Sequence, residues 1–142
     1  MSVDVESGKL IELRFKPGCE RKIVDPLAVD VEKQISEYFN GKRQSFNLPL
    51  NPKGTKFQKA VWFSCAKIEF GQTKTYKQIA EDIDNPDSQR ACGQALSKNP
   101  IPIIIPCHRV VASNGLGGFG LGIDMKTKLL SLEKIQISSS PR

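Results

Sequence analysis

Apolar and polar residues follow two clear patterns in the first third of the chain. Residues 8–15 (GKLIELRF) alternate between the two kinds, which predicts a strand. Residues 25–40 instead repeat their apolar positions at helical spacing, and Gly41 is a natural stop for that helix. The predicted apolar face of the helix consists of residues four positions apart: Leu27, Val31, Ile35 and Phe39.

The next segment, residues 48–54 (LPLNPKG), holds two prolines and a glycine and predicts a boundary. After it the pattern is mainly helical. Thr55 and Gln58 have the spacing of a capping box, and we expect the helix that they start to run until Gly71 breaks it. Its apolar face is predicted from three residues: Phe57, Val61 and Ile68.

Two shorter helices are predicted further on. Thr75 and Gln78 form a second capping-box pattern, for a helix ending near Asp84. Asp87 or Ser88 can cap a third helix that runs to about residue 98. Two short helices joined by a tight turn are typical of a helix-turn-helix, although most such pairs are plain packing units.

The third helix (SQRACGQALSKN) is slim because it carries three small residues, Ala91, Gly93 and Ala95. Small residues would let the helix backbone approach a DNA groove closely, but they equally permit tight packing against another helix. Arg90, near the start of this helix, is a candidate DNA contact; a lone arginine elsewhere is usually a solvated charge.

Residues 101–105 (IPIII) are β-branched and flanked by prolines. We expect a short buried extended segment here, which delivers Cys107 from the core to a surface pocket.

Composition narrows the class of protein. A chain of 142 residues with 39% hydrophobic residues fits one compact domain, or two small ones sharing a core. The apolar run at 101–105 is too short to span a bilayer and the N-terminus shows no signal core, so we expect a cytoplasmic protein, nuclear in a eukaryote.

The net charge of +6 is distributed unevenly. Residues 1–52 carry eight basic and eight acidic side chains, whereas residues 53–142 carry thirteen basic and seven acidic ones. An excess confined to one half favours a surface for an anionic partner, nucleic acid first, although solubilising charge is an equal explanation.

The four cysteines lack C-x-x-C spacing and fit reduced thiols: Cys19, Cys65, Cys92 and Cys107. With a single histidine, His108, a zinc site is not expected.

The Cys107–His108 pair is the strongest candidate for chemistry. A free thiol has a pKa near about 8.5, so it needs help to become a nucleophile at neutral pH. In an extended chain, however, neighbouring side chains point to opposite faces, so direct contact would need a turn or a bridging water. An inward His108 needs a partner, and Glu133 is a candidate; the alternative is a structural thiol beside a core histidine.

The surroundings of that pair resemble a known active site. NPIPIIIPCHRVV, followed by GLGGFGLG, is similar to the signature of the O6-alkylguanine-DNA alkyltransferases, and FQKAVW and GQTKTYKQIA occur in the same order. The resemblance is strong over residues 55–133 and faint before residue 52.

The resemblance implies a mixed α/β fold in two domains. Residues 1–52 would form a small, ribonuclease H-like α/β domain, shorter than usual and with a reduced sheet. Residues 53–142 would form a mainly helical domain with a helix-turn-helix, which binds DNA and carries the alkyl acceptor.

The resemblance also implies roles for single residues. Cys107 would accept the alkyl group, and His108, oriented by Glu133, would act as its base through a water. Asn99 would hold the turn around the active-site segment. Tyr76 would press on the target phosphate and assist the leaving base. Contacts to DNA are then expected from Arg90, which fills the gap left by a flipped nucleotide, and from Tyr76, Thr75, Ala91 and Gly93.

The implied pocket for the base departs from the family at two positions. The carbonyls of Cys107 and Val110 would read the guanine amino group. Phe119 and Gly120 stand where the family commonly has Tyr-Ser or Tyr-Ala. Phe119 can stack on the base but lacks a phenol, and Gly120 can offer only its backbone N–H.

The implied function is stoichiometric repair of O6-alkylguanine, and also of O4-alkylthymine, in double-stranded DNA. The protein would act as a monomer, without metal or cofactor. Three alternatives stay open: a lesion-binding protein without transfer, a helix-turn-helix regulator with a structural cysteine, and a cysteine hydrolase.

Overall fold

The computed structural model describes residues 2–14, 25–119 and 121–135. They form a mixed fold of helices and two small sheets, and no helix in these ranges is long and apolar enough to cross a membrane. Contacts divide the chain into two units. One comprises the residues up to Lys53 together with Pro100–Ile104, and the other comprises Gly54–Asn99 together with the residues from Ile105 onward.

The first unit contains an antiparallel hairpin of β1 (Ser2–Glu6) and β2 (Lys9–Arg14). The predicted strand over residues 8–15 is therefore confirmed as β2, whereas β1 was not predicted. Ser7 and Gly8, which join the strands, both have positive φ (52° and 75°), as the favoured two-residue hairpin turn requires.

Helix α1 (Pro26–Phe39) follows, with the Asp25 side chain capping its first N–H groups and Gly41 at φ 72° beyond its end. The predicted apolar face was partly wrong, because Phe39 is 43% exposed. Residues four apart drift by about 40° per step around a helix, so Leu27 and Phe39 lie at the edges of the stripe. The buried apolar side chains are Ala28, Val31, Ile35 and Tyr38.

The predicted extended segment at residues 101–105 is buried but not extended. The chain turns at Ile103, whose φ of 73° is rare for a β-branched residue. The turn lets consecutive isoleucines be buried together, whereas an extended strand would point alternate side chains to opposite faces. The Pro100 carbonyl accepts a hydrogen bond of 2.8 Å from the Leu13 N–H within the same unit.

The second unit holds the remaining helices and a pair of two-residue parallel strands. Its elements in chain order are α2 (Lys56–Ala66), β3 (Lys74–Thr75), α3 (Tyr76–Asp82), α4 (Gln89–Ser97), a 3₁₀ helix (Cys107–Arg109), β4 (Val110–Val111) and α5 (Ile123–Leu132). Helix α4 packs against α2 and α3, and the buried Trp62 indole N–H donates to the Ala95 carbonyl at 2.8 Å.

Both predicted capping boxes are confirmed, with Thr55 and Gln58 starting α2 and Thr75 and Gln78 starting α3. The predicted end of α2 was wrong. The chain leaves the helix at Lys67, four residues before Gly71. The Lys67 N–H donates to the Ser64 carbonyl, three residues back, as in a 3₁₀ turn. Ser88 stands at the N-cap of α4, but its hydroxyl donates to the Asn85 carbonyl and does not cap the helix.

Candidate active site

Cys107 lies in the wall of a cavity of about 580 Å³ and is only 6% exposed. It begins the 3₁₀ helix, so the chain turns where the sequence predicted an extended path. Helices α3 and α4 and the glycine-rich loop, residues 115–119, supply the rest of the wall. Predicted site residues that line the same cavity are Tyr76, Arg90, Gly93 and Phe119.

Some predicted site residues lie outside this lining. Ala91 is exposed on α4, and Thr75 caps α3 at the residue before Tyr76. Gly120 lies outside the described residues. Four further residues of α4 line the cavity although no role was predicted for them: Gln89, Gln94, Leu96 and Ser97. Their helical spacing from Arg90 and Gly93 was the available signal.

Burial raises the pKa of the Cys107 thiol above its ordinary value. Several groups oppose this effect by favouring the thiolate: the Asn99 side chain, the charge of Lys126, and the backbone N–H groups of Cys107 and His108. Asn99 also donates from Nδ2 to the Ile105 carbonyl at 2.8 Å, so it ties together the turn that carries the thiol.

Behind the thiol, the fully buried His108 hydrogen-bonds Glu133, with Nε2 2.5 Å from Oε2. Arg109 holds the same carboxylate, with Nε at 2.7 Å from Oε1 and Nη2 at 3.2 Å from Oε2. It also donates from Nη1 to the Ile68 carbonyl at 2.6 Å. No role was predicted for Arg109, although it lies within the CHRV motif.

Burial lowers the pKa of His108, and the nearby Glu133 offsets this only in part. The imidazole is therefore neutral near pH 7. A carboxylate held by an arginine only accepts hydrogen bonds, so the imidazole proton belongs on Nε2. Nδ1 is then an acceptor, and it is buried without a hydrogen-bond partner in the described part of the chain.

Tyr76 is the first residue of α3, and its hydroxyl donates to the Gly118 carbonyl at 3.4 Å. Its ring lies between two glycines. A Cβ atom on Gly93 would be 3.7 Å from the ring, and one on Gly117 would be 2.5 Å from the hydroxyl oxygen. Gly117 therefore gives the ring its place in the cavity wall, whereas a Cβ atom on Gly93 would only make an ordinary van der Waals contact with it. Burial raises the pKa of Tyr76, so the hydroxyl keeps its proton.

Lys126 is a second residue that sequence analysis missed. It is fully buried, and its Nζ donates to the Val110 carbonyl at 2.7 Å and to the Gly118 carbonyl at 3.0 Å. Burial lowers its pKa to about 8. A signal was present, because Lys126 shares the helical spacing of the buried residues Leu129, Leu130 and Glu133.

These features define a class of protein whose chemistry centres on one cysteine beside a pair of short helices. The sequence profile of the family described as "6-O-methylguanine DNA methyltransferase, DNA binding domain" matches residues 56–135. The chain therefore belongs to the 6-O-methylguanine DNA methyltransferase family, which confirms the resemblance found in its motifs.

Individual relatives agree with this assignment. The chain is 50% identical to the methylated-DNA–protein-cysteine methyltransferase of Methanosarcina barkeri over 74% of its own length and 67% of the relative's. It is 44% identical to that of Metallosphaera sedula over 90% and 82%. The crystal structure of Mycobacterium tuberculosis OGT in complex with DNA superposes with a TM-score of 0.83 at 38% identity, over 98% of this chain and 87% of that one.

Proposed function

We propose that this protein repairs DNA by moving the alkyl group of O6-alkylguanine onto Cys107. One observation carries the proposal: a thiol in the wall of a cavity lies directly before a neutral histidine that is held by a buried carboxylate. The proposed substrate is double-stranded DNA with O6-alkylguanine, and also with O4-alkylthymine. The protein is a methyltransferase of its family, and the reaction needs no metal or cofactor.

The proposed reaction is a single displacement. His108 accepts the thiol proton at Nδ1 through a water molecule, while Glu133 keeps the other proton on Nε2. The thiolate attacks the alkyl carbon, so a sulfur–carbon bond forms as the bond from that carbon to O6 breaks. The hydroxyl of Tyr76 is protonated before the reaction, and it donates that proton to the departing guanine. The product is a thioether with no good leaving group, so each chain reacts once.

The lesion must leave the base stack to reach a thiol that is 6% exposed. In the proposal α3 and α4 act as a helix-turn-helix, and Arg90 fills the space that the flipped nucleotide leaves. Arg90 supports this role because it is exposed and also lines the cavity. Thr75, Ala91 and Gly93 contact the DNA backbone or the groove.

Recognition of the flipped base is assigned to four residues, of which Cys107 and Phe119 line the cavity. The carbonyls of Cys107 and Val110 accept hydrogen bonds from the guanine amino group, Phe119 stacks on the ring, and the Gly120 N–H donates to O6. Phe119 supports this role because it lines the cavity, with its ring edge-on to His108 at 6.4 Å between centroids. Because position 119 lacks the phenol that is common in the family, the preference for particular lesions is the property that we expect to differ most from the family.

The division into domains remains part of the proposal. Residues 1–52 form the small domain, with a reduced ribonuclease H-like sheet, and residues 53–142 carry DNA binding and chemistry. Two observations support it: apart from Pro100–Ile104, which group with the first unit, contacts divide the chain after Lys53, and every cavity residue belongs to the second unit.

The test is to incubate the protein with a duplex that contains O6-methylguanine and then to measure the mass of the protein by mass spectrometry. We expect a gain of one methyl group on Cys107, never more than one per chain. Cys107→Ser should remove the transfer and keep lesion binding, measured with the same duplex, because only the acceptor atom changes.

Each other result identifies a different function. Tight lesion binding by the native protein without any mass gain would indicate a binding protein, and repeated turnover would indicate a hydrolase. Loss of DNA binding in Cys107→Ser would indicate that the thiol is structural.

A further inference from the structure

Lys126 is a buried cation, and the described residues provide no carboxylate that hydrogen-bonds or pairs with it. A lysine is almost never fully buried unless it is paired, because removing an ammonium group from water is costly. Leucine or methionine would fill this position on the buried face of α5 without that cost. The polar contacts of Lys126 therefore need an explanation beyond packing.

Its two acceptors belong to different segments of the chain, of which the Gly118 loop lines the cavity. Val110 begins β4, directly after the 3₁₀ helix that carries Cys107. Gly118 lies in the glycine-rich loop beside Phe119, and its carbonyl also accepts from the Tyr76 hydroxyl. One ammonium group thus joins the strand, the loop and, through a shared carbonyl, the tyrosine.

The loop needs such an anchor. Gly117 and Gly118 have no side chains with which to fix their own position, and glycine gives the backbone its greatest freedom. A carbonyl oxygen has two lone pairs, so the Val110 oxygen can accept from Lys126 and still accept one further donor. The bond to Lys126 therefore orients this carbonyl without blocking it.

We propose that Lys126 is a positioning residue of the base pocket, which holds the glycine-rich loop and the Val110 carbonyl at a fixed separation. This inference rests on the proposed function, in which Val110 reads the guanine amino group and Phe119 stacks on the base. Lys126 acts through these groups.

A different role would be to stabilise the Cys107 thiolate by charge alone. The two roles predict different results. Loss of thiolate stabilisation slows the reaction of Cys107 with every electrophile, whereas loss of positioning slows only the reaction with a base that the pocket must read.

The experiment compares Lys126→Met with Lys128→Met, which removes an exposed lysine two positions along the same helix. Each folded variant reacts with duplexes that contain O6-methylguanine or O6-methylhypoxanthine, the analogue without the 2-amino group. Methylation of Cys107 is followed by mass in single-turnover conditions. Iodoacetamide is the electrophile that requires no base recognition.

We expect the native protein to favour the guanine lesion by at least about fivefold, the value of one hydrogen bond. Lys126→Met should slow transfer from O6-methylguanine on the order of a hundredfold, as misplaced groups do. The ratio of its transfer rates with the guanine and hypoxanthine lesions should fall towards one. Its reaction with iodoacetamide should slow far less, because only the contribution of the Lys126 charge to the Cys107 thiolate is lost. Lys128→Met should behave as the native protein.

Equal slowing with both bases, or a matching loss with iodoacetamide, would overturn the proposal. Should Lys126→Met not fold, as judged by circular dichroism, Lys126→Arg is compared in the same way, since its guanidinium places the donors farther along the side chain. A native preference in a folded Lys126→Arg would also overturn it. The proposed function fails separately, if the native protein gains no methyl group.

Discussion

At the scale of single residues, the site is governed by which atoms hold protons. The Glu133 carboxylate accepts two bonds from Arg109 and a weaker one from the Gly71 N–H at 3.4 Å, besides its contact with His108. A carboxylate stabilised in this way is a poor acceptor for a full proton transfer. The imidazole therefore keeps its Nε2 proton, and its Nδ1 lone pair is the basic position.

Gly117 offers a test of the wall beside Tyr76. Its φ of 72° disfavours any side chain, on the order of 1–2 kcal/mol, and a Cβ atom there would lie 2.5 Å from the tyrosine oxygen. Gly117→Ala should therefore lower the free energy of unfolding in urea by about that amount and slow methyl transfer by displacing Tyr76.

The matched control is Gly115→Ala, because a Cβ atom on Gly115 meets nothing within 4 Å. This variant should keep the native transfer rate. An unchanged rate in Gly117→Ala as well would mean that the position of Tyr76 does not matter for the reaction.

At the scale of elements, the two capping boxes form a natural pair for comparison. Thr75→Ala and Thr55→Ala should each lower the free energy of unfolding by about 1 kcal/mol, since each removes the side-chain oxygen that caps a helix. Only Thr75→Ala should also slow transfer, because α3 begins at Tyr76. Urea unfolding and single-turnover rates measure both effects.

Thr75→Ser, which keeps the hydroxyl, should restore both properties. If the Thr55 and Thr75 variants slowed the transfer equally, the effect would reflect general stability and not the placement of α3.

Elements with local signals could be predicted from the sequence. Helices α2 and α3 were found because a capping box lies within four residues, and Gly41 marked the end of α1. The turn at Ile103 could not be found in this way, since no glycine stands there to indicate a positive φ, and the burial of consecutive isoleucines is visible only in the fold. The end of α2 at Ala66 likewise has no glycine or proline beside it to mark it.

The site was predictable where residues follow a motif. Cys107 and Arg90 were candidates from their positions in the sequence, whereas Tyr76 and Phe119 came from the resemblance. The structure brings all four to one cavity. The helical spacing of Lys126 indicates that it is buried, but its hydrogen-bond partners are backbone carbonyls, which no sequence pattern identifies. The pairing of Arg109 with Glu133 joins residues far apart in the chain, so spacing alone could not reveal it.

At the scale of the whole molecule, stability should depend on pH through His108, the single histidine of the chain. Its pKa is lowered in the fold, so below pH 6.5 the unfolded chain binds a proton that the folded protein does not. Stability should therefore be complete above about pH 6.5 and decrease as the pH falls, by up to about 1.4 kcal/mol per pH unit.

Urea unfolding between pH 5 and 7 measures this slope. His108→Asn should flatten it, whatever its effect on stability at pH 7, while Cys107→Ser should keep the native slope. A native protein whose stability rises as the pH falls through this range would show that the imidazole is protonated in the fold.

The bond from Trp62 to the Ala95 carbonyl has an optical consequence. The chain has a single tryptophan, so its intrinsic fluorescence comes from one indole whose N–H is attached to the helix proposed to enter the DNA groove. A shift of α4 would change the polarity around that ring and therefore the wavelength of its emission maximum. The protein therefore carries a built-in fluorophore that reports on this helix without any added label.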